Sequence, residues 1–147
     1  MMSTSPKPLR RGRWPRATLK DILEAAQLGF ACGARDPSGI VQLRMNNVTP
    51  DGEMRWDELV RVPPPGNMDS YLLNSGDVLF NNTNSVELVG KTALFCGYSE
   101  PVVFSNHFTR LQARRDVILP EFLAFWLRLR WNEGLFAEGC NRWVGQA

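Results

Sequence analysis

The segment from Leu72 to Phe95 limits what this chain can fold into more than any other. Two apolar runs, Val78-Leu79-Phe80 and Leu88-Val89 through Ala93-Leu94-Phe95, bracket five polar residues, Asn81 to Ser85. Runs of this kind form strands that bury one face and bring a polar connector to an edge of the sheet. Asn74-Ser75-Gly76-Asp77 supplies the turn that feeds the first run. The connector is nearly all amide and hydroxyl, the chemistry that reads base edges in DNA. The same groups build ordinary Asx-rich turns, because they tolerate left-handed backbone and cap it. Both readings stand on residue chemistry alone.

The flanking sequence extends this pattern. Residues 1–13, with Ser3, Ser5, Pro6 and Pro8, read as a basic disordered leader, and 14–147 as one domain. Thr18-Leu19-Lys20-Asp21 begins a predicted helix with Leu19, Ile22, Leu23 and Ala26 on its buried face and Gly29 as its stop. A loop over 31–39 precedes a strand from Ile40 to Met45, and Asn46 to Gly52 ends in a turn. Trp56 to Val62 reads as a short amphipathic piece, closed by Pro63-Pro64-Pro65-Gly66. Val102-Val103-Phe104 and Phe108 to Ala113 are further strands, interrupted at Ser105-Asn106-His107. Pro120 suits the first position of a helix that is apolar nearly all round, through Phe122, Leu123, Phe125, Trp126, Leu127 and Leu129. A second short helix is expected from Trp131 to Glu138. The expected class is therefore α+β, with a curved, mostly antiparallel sheet flanked by helices.

With 147 residues, 44% of them hydrophobic and 22% charged, the chain has enough apolar material for one core. No apolar run approaches the roughly 18–20 residues of a membrane span. The leader lacks the apolar stretch of a secretory signal, so the expected location is cytoplasmic. Cys32, Cys96 and Cys140 are isolated, and His107 is the single histidine. They predict buried reduced thiols rather than a metal site, which needs four closely spaced ligands. The net charge of +2 conceals an asymmetry. Lys7, Arg10, Arg11, Arg13 and Arg16 carry five of the 17 basic residues, which leaves 12 against 15 acidic ones. Such a leader suits a nucleic-acid arm and equally a solvated tail.

Motifs for nucleophilic, phosphate-binding or dinucleotide chemistry are missing. Three polar groups lie instead at predicted strand ends. Arg44, Asn46 and Asn47 form one. Asn81, Asn82, Thr83, Asn84, Ser85 and Lys91 form the second, and Asn106, His107 and Arg110 the third. Brought together by a sheet, they make a locally basic amide surface of the type that binds nucleic acid. The aromatics fall in apolar patterns and predict core packing rather than base stacking.

The order of phrases resembles a target-recognition domain of the DNA specificity subunit of type I restriction–modification systems. Trp14 with Leu19-Lys20-Asp21-Ile22 opens the series. Leu43-Arg44-Met45-Asn46-Asn47-Val48, Leu73-Asn74-Ser75-Gly76-Asp77-Val78-Leu79-Phe80 and Leu88-Val89-Gly90-Lys91-Thr92-Ala93 follow, and Pro120-Glu121-Phe122-Leu123 starts the helix. The resemblance covers Trp14 to Ala147. It implies a non-catalytic domain that reads one half of a split double-stranded DNA target. It implies methyltransferase and restriction subunits as partners, with S-adenosylmethionine held by the methyltransferase subunit and no cofactor here. In that family the chain runs on through an Ile-Pro-Leu-Pro phrase into a long spacer helix. This sequence stops at Val144-Gly145-Gln146-Ala147, so it reads as truncated before the spacer. With that resemblance, the polar groups named above predict base contacts from Asn81–Ser85 and Asn106–Arg110, with Arg44 and Lys91 on phosphates or guanine.

Two rivals remain. One is a protein-interaction module or remnant that docks or self-associates through the 120–130 helix. The other is a small nuclease or methyltransferase using Asp77, Asp51 or Glu87.

Overall fold

The computed structural model describes residues 15–141. The basic leader, Trp14 and the closing residues 142–147 lie outside the described residues. The fold is α+β: β-strands in two sheets, with few helices.

Thr18 and Asp21 do form the capping pair that the sequence suggests. The Asp21 carboxylate accepts from the Thr18 amide at 2.8 Å and hydroxyl at 2.7 Å. These bonds, the backbone one foremost, hold its pKa below the ordinary carboxylate value. The helix, α1 (Leu19–Ile22), nevertheless lasts one turn. Leu23–Leu28, expected to continue it, is a strand, β1. The reason is tertiary: these residues hydrogen-bond antiparallel to Phe108–Ala113, from Leu23 opposite Ala113 to Leu28 opposite Thr109. A ladder of backbone bonds outweighs helix propensities that differ by a few tenths of a kcal/mol per residue. Gly29 is not a helix stop. A Cβ there would lie 2.2 Å from the Ser105 carbonyl oxygen, so glycine is what lets the chain pass against Phe104-Ser105.

The strands that follow are β2 (Ile40–Leu43), β3 (Val60–Val62), β4 (Val78–Asn81), β5 (Thr92–Leu94), β6 (Val102–Phe104) and β7 (Phe108–Ala113). They divide into two sheets rather than the single curved sheet expected. A four-stranded antiparallel sheet has the order β1-β7-β4-β5, and a three-stranded sheet the order β3-β2-β6, with β2 and β6 parallel. Only Val60–Val62 of the expected 56–62 piece is regular, and Leu88-Val89 lies in the turn before β5. That turn needs Gly90, whose φ of +91° and close approach to the Phe136 ring leave no room for a side chain.

Alternation along the strands sorts the core into layers. Between the sheets lie Val41 and Leu43 of β2, Val102 and Phe104 of β6, Leu79 of β4, Ala93 of β5 and Phe108 of β7. The opposite face of the larger sheet offers Val78, Leu111 and Ala113 to Leu123, Ala124 and Leu127 of α2 (Pro120–Asn132). Ile40, Val62 and Val103 on the outer face of the smaller sheet pack under Met68, Tyr71 and Leu72. Pro120 opens α2 as expected, but Trp131 still belongs to it, and α3 begins only at Leu135 (Leu135–Gly139). One stripe of α2 is covered; Phe122, Phe125, Trp126 and Leu129 are exposed. No described helix is long and apolar enough to cross a membrane. The thiols are free, yet Cys96 is exposed and Cys32 and Cys140 half-buried, so the expected fully buried set is not formed.

Candidate nucleic-acid interface

Strand pairing brings the three polar groups to one end of the molecule. β4 and β7 run antiparallel with Asn81 opposite Phe108, so the 81–85 connector meets the Ser105–His107 turn. The Asn82 amide donates to the His107 carbonyl at 3.0 Å. β2 runs parallel to β6, so Arg44 comes up beside the same turn. Arg44, Asn106 and His107 line one cleft of about 280 Å³ with Cys32, Gln42 and Ser105.

The connector is an ordered turn. Asn81 Nδ2 donates to the His107 carbonyl at 2.9 Å and to that of Thr83 at 3.2 Å. Asn84 Nδ2 donates to Asn81 Oδ1 at 2.7 Å, and the Ser85 amide to Asn84 Oδ1 at 2.9 Å. Asn82 Nδ2 donates to the Thr109 hydroxyl at 3.0 Å, and the Thr83 hydroxyl to Asn82 Oδ1 at 2.8 Å. The turn chemistry is thus real. Each amide nitrogen carries two protons and each oxygen two acceptor sites, so Asn82 and Asn84 keep unused valences on half-buried side chains. A network of this kind presents those valences in fixed directions.

Four of the sequence-predicted residues are buried and turned inward. Asn81 is fully buried and spent inside the turn. Asn47 is 1% exposed; its amide donates to the Arg55 and Glu58 carbonyls, and its oxygen accepts from the Arg44 amide. Lys91 is buried and donates its Nζ to the Val48 carbonyl at 2.7 Å and the Met45 carbonyl at 3.1 Å. Burial without a carboxylate partner pushes its pKa below the ordinary lysine value. Arg110 shares the parity of Phe108 and so points between the sheets. It donates to the carbonyls of Leu72 (2.8 Å) and Ser70 (3.1 Å) and to Gln27 Oε1, and lies 3.7 Å from Asp77. The Phe104 ring packs under its guanidinium. As placed, these four hold the interface up and do not face outward.

Asp77, the residue a nuclease reading would use, belongs to the same scaffold. It accepts from the Asn74 amide at 2.9 Å and from Gln112 Nε2 at 3.0 Å. Removing one member of a buried charged pair typically costs ~3–5 kcal/mol. Among the described residues no cluster of three or more His, Cys, Asp or Glu side chains forms a candidate metal site.

The outward set is therefore Arg44, Asn46, Asn82, Thr83, Asn84, Ser85, Asn106 and His107. Asn46 is exposed on the turn that Lys91 pins, and its one contact, to Glu58 Oε2 at 3.4 Å, is long. Arg44 is half-buried. Its Nη2 donates to the Cys32 carbonyl at 2.7 Å and to Gln42 Oε1 at 2.9 Å. Burial, and then the nearby charge of Arg35, lower its pKa. Gln42 belongs to none of the three sequence-predicted groups and is the missed member: fully buried, it donates to the Phe30 carbonyl at 2.9 Å and steers Arg44. A polar residue in the run Ile40-Val41-Gln42-Leu43 was the available signal.

No family model matches the chain. It is 28% identical over 137 residues to a protein of Methanocaldococcus jannaschii that carries the provisional name of type I restriction enzyme MjaX specificity subunit. The aligned region covers 91% of this chain and 32% of that relative, so the chain spans about a third of the relative's length.

Proposed function

We propose that the chain is a target-recognition domain that binds double-stranded DNA in a sequence-specific way and reads one half of a split target for a type I restriction–modification complex. Two things support this reading: the similarity to a protein named as a specificity subunit over nearly the whole chain, and the convergence of Arg44, Asn46, Asn82–Ser85, Asn106 and His107 at one end. The convergence carries it, because it joins residues far apart in sequence into one amide-rich surface. In this reading the chain is non-catalytic and cytoplasmic and binds no cofactor. Methyltransferase and restriction subunits are its partners, and the methyltransferase subunit holds S-adenosylmethionine.

Gel-shift titration with duplex DNA over a salt series, with and without divalent metal, tests the proposal. Binding that weakens steeply with salt, needs no metal and leaves the DNA intact is the expected result. Metal-dependent cleavage would replace it with a nuclease.

A second reading, a protein-interaction module, is favoured by the uncovered apolar stripe of α2. Phe122 is 55% and Phe125 57% exposed, beside Trp126 and Leu129. That stripe lies on the helix rather than at the polar end, and the two roles are compatible in one subunit.

A further inference from the structure

We propose that the cleft between Arg44, Asn106 and His107 is a seat for a phosphate group, and that its natural occupant is a backbone phosphodiester of the duplex beside the 81–85 connector. The identity of the occupant rests on the DNA-binding reading above; the seat itself rests on geometry.

Arg44 Nη2 has two protons, and both are committed, to the Cys32 carbonyl and Gln42 Oε1. Gln42 is itself locked to Phe30, so the plane of the guanidinium is set. Nε is buried and has no hydrogen-bond partner among the described residues. Bidentate reading of guanine takes two donors from one edge of a guanidinium, and each two-nitrogen edge of this one includes Nη2. Arg44 would have to break an internal bond to read guanine. Nη1 donates to no described residue, and a single charged donor still makes a strong, charge-assisted bond to a phosphate oxygen, which asks for no particular edge pattern. The rest of the lining fits an anion. The described lining contains no carboxylate, and the His107 ring and the Asn106 side-chain amide have no hydrogen-bond partner among the described residues. Three bonds fix its place: the Asn82 backbone N–H and the Asn81 side chain both donate to the His107 carbonyl, and the Asn106 backbone N–H to the Phe30 carbonyl at 3.2 Å. A phosphate held there would set the register of the connector along the groove, which is the role of backbone contacts in recognition.

His107 is the only histidine, so its ring resonances report on the cleft without ambiguity. The full chain is titrated with inorganic phosphate at fixed pH and ionic strength, with chloride as the control. A saturable shift of the His107 signals is expected in the wild type and is absent in Arg44→Gln. Asn106→Asp, which sets a carboxylate on a half-buried position and leaves the Arg44 anchors untouched, abolishes it as well. A ring signal that does not move, or moves equally in the folded variants, overturns the seat. In the duplex arm, Asn106→Asp and Arg44→Gln weaken all sequences alike, and Arg44→Gln lowers the slope of log affinity against log salt by about 0.9. Relaxed preference at one base pair with an unchanged slope would make Arg44 a base reader and overturn the proposal. If phosphate shifts His107 but no duplex binds, the seat stands and the DNA reading fails.

Discussion

Lys91 carries its ammonium into a site with two backbone carbonyls and, among the described residues, no carboxylate partner. It is the strut between β5 and the turn that displays Asn46. Its pKa is lowered by burial from the ordinary 10.5, so the unfolded chain holds this proton more tightly than the folded one. Stability therefore rises with pH from the lowered value up to about 10.5 and is reduced below that window. Chemical denaturation from pH 7 to 10.5 should show this rise in the wild type and not in Lys91→Met. The variant also loses both hydrogen bonds, worth ~1–3 kcal/mol when they leave buried carbonyls bare. Its destabilisation relative to wild type should grow as the pH increases. Arg110 makes the complementary point. The alternation that puts Phe108 in the core also puts Arg110 there, and the chain then supplies Asp77, Gln27 and two carbonyls to hold the charge. Arg110 at a strand end suggests a DNA contact by residue type, but its parity with Phe108 turns it inward.

At the scale of elements, β1 shows where local sequence loses to pairing. Leu-Glu-Ala-Ala-Gln-Leu is a run of good helix formers, and Thr18 with Asp21 starts a helix in front of it. The free edge of β7 captures the run, and nothing local announces that edge. Gly29 was the legible clue, read as a helix stop although its function is close passage over Ser105. Gly29→Ala should destabilise by roughly 1–3 kcal/mol, the usual cost of overpacking, because the obstructing atoms are backbone and cannot turn away. Urea midpoints at constant m-value would measure it, and a neutral result would contradict the close approach. Strands β4 and β7, the turn at 74–77 and the start of α2 at Pro120 were readable from alternation and turn residues. The split into two sheets was not, since the parallel pairing of β2 with β6 joins strands about sixty residues apart.

For the whole molecule, the sheets act as a clamp that delivers three distant polar segments to one end while α2 closes the opposite face of the larger sheet. The sequence identified the segments, since amides and basic residues at strand ends are visible without a structure. Which side chains in each face outward was decided by strand parity and by the hydrogen bonds inside the connector. Asn81 builds the turn, and Asn82 and Asn84 keep donors and acceptors for something outside it. The proposed function depends on those two amides more than on any other pair. The most direct measurement is therefore competition binding of the wild type and of Asn82→Ala and Asn84→Ala against a duplex selected by the wild type and a scrambled duplex of equal length. The account predicts that each variant loses ~1–3 kcal/mol of discrimination between the two duplexes while its salt slope is unchanged, the signature of a lost base contact. Equal discrimination in folded wild type and variants would contradict it and take the connector out of the interface.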